Sequence, residues 1–501
     1  MTTKYDVVIV GSGLGGLLCG YILSKNGFKV AILEKHHQPG GCLQTFTRRG
    51  TSFDTGMHYI GGVEDGQELN LLLKYFGLYK TIDLHKLDED GFDHIVLNGR
   101  NFKFAMGYDN FIETLVRDFP TERASLEKYI WYLKDVVKHS FISTMNNGNA
   151  TKLFPPEYII TSIGEFLESV TDNKTLQNVL AGNNPLYAGH RDKTSMYVHA
   201  LVSNTYINSS YRIVDGSDTV TNNLIKSIKG FGGELFLNSE VTKFIVGEHN
   251  LTAVEINGKE LLEANQFISA IHPQATLERI GETPLLRKAF RNRIKTLKNT
   301  ISNFTVYIKF KKNSFIYRNY NLFHYASENV WDSFEYGDSD WPKSFLMMNQ
   351  ARSPVSNPYA DSAVVLAYMK YSDVERWANT TVEKRGQDYR DFKKYKAEKL
   401  LKELEKAFPG INDSIESYYT SSPLTYRDYT ATTEGAMYGV LRDCSISSQL
   451  LVTQKTKIPN LFFTGQNINA HGMLGVAVGA IITASELVGM DKIVKQIKSA
   501  N

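Results

Sequence analysis

At 501 residues the chain exceeds what a single hydrophobic core organises, so two domains are expected. Its 56 Lys and Arg against 53 Asp and Glu leave a formal charge of +3, which excludes a strong overall attraction to nucleic acid. Three cysteines, Cys19, Cys42 and Cys444, with no CxxC and no nearby His pair, exclude a disulfide framework and a zinc site and suit a reducing compartment.

In chain order the first element is Tyr5–Val10, YDVVIV, a continuous apolar run that reads as a buried parallel strand. Met1-Thr-Thr-Lys leads straight into it without room for a signal peptide, so a cytoplasmic protein is expected. Gly11, Gly13 and Gly16 follow at the spacing GxGxxG, which suits a phosphate-cradling turn into a helix over about residues 15–26. The first Gly permits the tight turn, the second lets backbone N–H groups approach a pyrophosphate, and the third lets helix and strand pack closely. Phe28–Leu33 then reads as a second strand, ending in Glu34 about 20 residues beyond the first glycine. A carboxylate there suits a ribose hydroxyl pair and repels a 2′-phosphate, which favours FAD or NAD over NADP.

Residues 121–141 carry a helical stripe of Leu126, Ile130, Leu133, Val137 and Phe141. Residues 222–233 read as a helix with a glycine turn, and Glu234–Val241 as one strand returning to the nucleotide domain. Asn303–Phe310, Ser344–Met348 and Ala363–Met369 read as strands of an antiparallel sheet, because no alternating helix separates the first two. Between them Phe315, Tyr317, Tyr320, Phe323, Tyr325, Trp331, Phe334, Tyr336, Trp341 and Phe345 crowd together, a set that either fills a core or lines a tunnel for a flat conjugated ligand. Asp391–Phe408 is an amphipathic helix stopped by Pro409-Gly410.

Near the C-terminus, Asn460 to Gly479 repeats the order strand, glycine turn, helix. Since one nucleotide takes one such turn, a second implies two nucleotides or one long ligand gripped at both ends, and FAD has that length. The helix would aim its positive end at the flavin ring. Its apolar stretch Met473–Ala484 is too short to span a bilayer, and Gly475 and Gly479 read as close helix packing. With no repeat and no long linker, the two domains are expected to interleave.

The segments GSGLGG (11–16), LEKHHQPGGCLQTF (33–46), FDTGMHYIGG (53–62), SPLTYRDYTATTEGAMYG (422–439) and LFFTGQNINAHGMLGVAVGA (461–480) resemble the phytoene desaturase-like flavoproteins, nearest the retinol saturase and carotenoid isomerase branch. Residues 75–205 and 290–420 match no motif. The resemblance implies an α/β fold: a discontinuous Rossmann-like FAD-binding domain (1–75, 205–290, 425–501) with an inserted α+β substrate domain (76–204, 291–424). It places Gly11, Ser12, Gly13, Gly15 and Gly16 at the pyrophosphate, Glu34 and Lys35 at the adenosine ribose, and Gly40, Gly41 and Cys42 beside the ribityl chain. Val241 would meet the adenine through its backbone, and Gly465, Gln466, Gly472, Met473 and Leu474 would approach the flavin. Two departures stand out: Gln466 replaces an acidic residue, and Asp215-Gly216-Ser217-Asp218 replaces a paired glycine.

A bound flavin supplies the hydride chemistry, so no complete acid–base pair is required of the chain. His58, Tyr59 and His471 are the candidates for side chains lining the ring, each equally readable as a core residue. The implied activity is on C=C bonds of a carotenoid or retinoid, with saturation ahead of isomerisation or desaturation. NAD(P)H enters only as a transient electron donor, since there is one GxGxxG. Peripheral membrane contact stays open. The rivals are a non-catalytic FAD-containing lipid carrier and a flavin amine oxidase, although no aromatic pair typical of the latter is evident.

Overall fold

A computed structural model describes residues 4–146, 155–351, 357–446, 452–468 and 470–501. Tyr5–Val10 forms strand β1, which leads through the glycine turn into helix α1 (Leu14–Lys25) and back into strand β2 (Val30–Leu33). After a long excursion come helix α2 (Asp218–Gly230), strand β3 (Glu234–Phe236), and strands β4 (Val241–Val246), β5 (Leu251–Ile256) and β6 (Glu260–Ser269). A second excursion ends in strand β7 (Leu461–Phe463) and helix α3 (Gly472–Val488).

These strands make one sheet. β3, β2, β1, the end of β6 and β7 run parallel in that order, while the start of β6 folds back antiparallel with β5 and β4. Both faces are covered, which is why β1 is apolar throughout rather than alternating. Val7 and Ile9 pack with α1, α2 and α3, whereas Val8 and Val10 pack with β4, β5 and the helix Pro273–Ile280. The fold class is therefore mixed α/β with a Rossmann-like unit.

A second sheet has seven strands in the order 415–421, 302–310, 362–369, 344–350, 321–325, 93–97 and 100–104. All neighbours are antiparallel except 321–325 with 93–97. Its faces alternate by residue: Leu346, Met348 and Leu366 turn toward the helices Arg123–Lys138 and Met196–Asn208, while Met347, Val365 and Ala367 turn toward the helix Gln387–Ala407.

Two expectations change and one holds. The run Glu234–Val241 is two strands, because Asn238 takes a left-handed turn (φ +52°) and its N–H bonds the His36 carbonyl at 3.1 Å, sending the chain out of the parallel sheet. The three strands read as one antiparallel sheet do share it, with Ser362–Met369 between Ser302–Phe310 and Ser344–Gln350. Gly475 is pinched by its own N-terminal loop, where an added Cβ would meet the Ala470 Cβ at 2.5 Å, and Gly479 has open space, so neither is squeezed between helices. Among the described residues no helix is long and apolar enough to cross a membrane.

Candidate functional site

The two glycine turns meet. A Cβ on Gly16 would lie 2.1 Å from the Gly11 carbonyl, and one on Gly15 would lie 2.7 Å from the Gly465 Cα, so α1 starts against the turn that follows β7. Gly11 takes φ +98°, a conformation open to glycine, while its N–H bonds the Leu33 carbonyl at 2.8 Å. Gly13 is different: nothing stands within 4 Å of where its Cβ would be, and it lines a cavity of about 530 Å³. Helices α1 and α3 both begin at this cavity, and their N-cap residues, Gly13 and His471, provide no side-chain cap. Two helix N-termini thus direct first-turn N–H groups and positive dipole ends at one space.

The loop beside the first turn is pinned from below. Gly40 (φ +116°) donates its N–H to the Ser12 carbonyl at 3.1 Å, and Gly41 follows at φ +58°. The Asp215–Asp218 segment explains its departure from a glycine pair: Ser217 donates its N–H to Asp54 Oδ1 at 2.7 Å, and its Oγ lies 2.7 Å from the same oxygen. A side chain at this position ties the helix α2 start to the strand Thr51–Asp54.

Gly13, Gly15, Gly40, Gly41, Cys42, His58, Tyr59, Gly465, Gln466, His471, Gly472, Met473 and Leu474 all line the cavity. Gly11, Ser12, Gly16, Glu34, Lys35 and Val241 do not. Glu34 is buried, with Oε2 accepting from Ser12 N–H at 3.0 Å and Ser12 Oγ at 2.6 Å, and Oε1 accepting from His36 N–H at 3.0 Å. Lys35 donates to the Asp428 carbonyl at 2.7 Å, and the Val241 carbonyl accepts from Arg279 Nε at 2.8 Å. Asn469, within the second glycine stretch, lies outside the described residues.

The aromatic set from Phe315 to Phe345 takes the core reading and not the tunnel one, because none of its rings lines the cavity. Phe323 and Tyr325 belong to the core beneath the helix Arg123–Lys138, while Phe315, Trp341 and Phe345 pack behind the second sheet against the helix Gln387–Ala407. The strand 321–325 lies outside 344–350 and 362–369, whose Leu346, Met348 and Leu366 form the cavity wall in its place. The opposite wall is the helix Met196–Asn208, through Tyr197, Val198, Leu201, Val202, Thr205 and Tyr206. Sequence reasoning missed this helix, although three- and four-residue spacing was there to be read.

Polar groups are few and unusual. Tyr59 donates its hydroxyl to Asp93 Oδ2 at 3.0 Å, and Asn321 donates to Oδ1 at 2.8 Å. Burial drives the Asp93 carboxyl up to about 7 against the opposing pull of these bonds and of Arg212. The Tyr59 and Tyr206 rings lie 4.5 Å apart, and burial also holds the Tyr59 phenol well above its usual range. Burial lowers His58 to about 4 and His471 to about 3, keeping both rings neutral, and it raises the Cys42 thiol to about 11. His58 Nδ1 and His471 Nε2 are buried without a hydrogen-bond partner among the described residues.

Fold and site define a Rossmann-type α/β protein whose second sheet closes an apolar cavity against two glycine-led helix starts. Residues 9–76 match the family model of an NAD(P)-binding Rossmann-like domain. The chain is similar to the all-trans-retinol 13,14-reductase of Homo sapiens, 27% identical over 97% of this chain and 85% of that one. It is also similar to the chloroplastic prolycopene isomerase 1 of an Oncidium hybrid cultivar, 23% identical over 96% and 83%. A solved triple mutant of putrescine oxidase shares the fold alone, with TM-score 0.64 at 16% identity over 97% of this chain and 99% of that one. The chain fits the phytoene desaturase-like family, on the side of the retinol reductases and prolycopene isomerases.

Proposed function

We propose that this protein is an FAD-dependent oxidoreductase acting on a C=C bond of a hydrophobic polyene, by saturation of a retinoid or carotenoid. The observation that carries the reading is a single cavity that begins at two uncapped helix N-termini and continues between Leu201, Val202, Tyr206, Leu346, Met348 and Leu366. One end suits a charged, elongated prosthetic group and the other an apolar chain. Relatives named for reduction of all-trans-retinol, matched along nearly the whole chain, support it.

The residues present fit FAD: Gly13 leaves the space that any side chain would fill, and His471 Nε2 has no hydrogen-bond partner among the described residues. The first glycine turn, Gly11 to Gly16, would hold the pyrophosphate, with Glu34 and Lys35 at the ribose, Val241 at the adenine, and Gly40 to Cys42 beside the ribityl chain. Gly465, Gln466, Gly472, Met473 and Leu474 would face the ring. When bound and reduced by the electron donor, the flavin would supply the hydride equivalent that reduction of a C=C bond to CH–CH requires. The chain's own part is to exclude water through the Met348, Leu366 and Leu201 walls, and to hold a proton on the Tyr59 Oη and Asp93 Oδ2 pair, which titrates near neutrality. NAD(P)H serves only as a passing electron donor in this reading. We assign residues 1–75, 205–290 and 425–501 to the cofactor and 76–204 and 291–424 to the substrate, a division that keeps each seven-stranded sheet whole but cuts the helix Met196–Asn208 and parts Leu84–Lys86 from its partner strand Ser210–Ile213.

Anaerobic incubation of the flavin-loaded protein with retinoids and carotenoids, once with the flavin reduced beforehand by NAD(P)H or dithionite and once with it left oxidised, followed by mass analysis of the products, tests the proposal. A gain of two hydrogens supports saturation. An unchanged mass with altered retention makes it an isomerase, as the prolycopene isomerase relatives favour, and a loss of two hydrogens makes it a desaturase. Binding of polyene with neither product nor bleaching would leave a carrier, and peroxide release from amines would make it an amine oxidase.

A further inference from the structure

Arg442 is a half-buried cation that no carboxylate pairs among the described residues. It lines the cavity, donates Nη2–H to the Gln466 carbonyl at 2.7 Å, and leaves Nε without a hydrogen-bond partner among the described residues. No carboxylate pairs with it among the described residues, and the remaining residues of the chain include no Asp or Glu. Burial pulls its guanidinium down to about 10, opposed by Tyr197 alone. Glu68, which also lines the cavity and acts with Arg442 on Tyr197, is engaged by the Ser140 hydroxyl, and burial raises its carboxyl toward the neutral form. His471 beside it stays neutral. A charge enclosed in this way is costly unless a ligand completes it.

We propose that Arg442 receives the carboxylate of a polyene acid, so that the preferred substrate ends in an anion rather than in hydrocarbon or alcohol. This rests on the polyene reading above. An alcohol would occupy the Nε donor but leave the charge unpaired, whereas a carboxylate answers both, and guanidinium–carboxylate pairing is the strong form of such contacts. Tyr197, the group opposing the burial shift of Arg442, stands on the helix Met196–Asn208, in the wall assigned to substrate. A second source of the same oxyanion chemistry is the prosthetic group itself, and the experiment separates the two.

The flavin-loaded protein is titrated with all-trans-retinoic acid and with all-trans-retinol by quenching of its tryptophan fluorescence, and the flavin-to-protein absorbance ratio is recorded for every sample. Wild type is expected to hold the acid at least about tenfold tighter than the alcohol. Arg442→Met is expected to erase that preference while moving the alcohol by less than about threefold, and Arg442→Lys to keep part of it. Equal affinities in wild type, or a preference that survives in Arg442→Met, overturn the proposal. So does a loss of flavin from Arg442→Met with the preference intact in the loaded remainder, which assigns the anion to the prosthetic group. Should Arg442→Met fail to fold, the wild-type preference and its reduction in Arg442→Lys decide. Binding of neither retinoid sinks the polyene reading as a whole, whereas binding of both without preference sinks only this inference.

Discussion

The two sides of the cavity are built from different materials. On the side of the first sheet, main chain does the work: Gly13, Gly15, Gly40, Gly41 and Gly465 bring backbone to the surface, and any side chain would intrude. On the other side, Tyr197, Leu201, Val202, Tyr206, Met348 and Leu366 present side chains whose volume and shape matter more than their chemistry. A backbone-built wall leaves a fixed spacing of glycines in the sequence. A side-chain wall tolerates many solutions of similar volume and so leaves only a periodicity.

The largest expected effect breaks the backbone side. Gly16→Ala places its Cβ 2.1 Å from the Gly11 carbonyl and is expected to cost about 3 kcal/mol or more and abolish flavin retention, read by thermal melting and absorbance. Gly13→Ala, with open space around it, is expected to melt within a few degrees of wild type yet lose flavin. Next, Leu201→Trp fills the opposite wall. Flavin content should stay at the wild-type level while polyene turnover falls by about tenfold or more; equal losses of both would erase the distinction between the two sides.

A third prediction concerns the buried imidazoles. Burial takes His199 and His471 to about 3, and His58, His94 and His272 to about 4, from 6.5. Folded values below the unfolded one mean stability that is complete above 6.5 and lost as pH falls toward 3, at up to about 1.4 kcal/mol per pH unit for each ring. Asp93 works in the other sense, with a contribution present below 3.8 and lost as pH rises through about 7. Urea unfolding at pH 7 and pH 5 should show the net acid loss, and His199→Gln, which removes the ring between the Tyr129 and Tyr187 hydroxyls (2.8 Å each), should flatten it. The smallest effect is expected from Cys42→Ala. It lies on the backbone side, its thiol is held up near 11, and stability should move by less than about 1 kcal/mol with flavin content unchanged.

The unit from Tyr5 to Glu34 was legible because each residue type has one physical reason to be where it is. The helix Arg123–Lys138 and the strands Ser302–Phe310 and Ser362–Met369 were legible from periodicity, to within a few residues. The break at Asn238 was not, since a single left-handed residue inside an apolar run leaves no periodic trace. Nor was the fate of Phe315 to Phe345, because composition announces an aromatic cluster while sheet order decides which face and which strand it occupies. Arg442 looks like any surface arginine until the fold encloses it.

The contact of Gly15 with Gly465 joins two segments far apart along the chain. A ribosome therefore delivers one jaw of the clamp well before the other, and the prosthetic group can be seized only after both have emerged. Until β7 arrives, the outer edge of β6 stands bare, a template onto which a neighbouring nascent chain can add a strand. Prompt completion of synthesis thus guards solubility as well as cofactor capture.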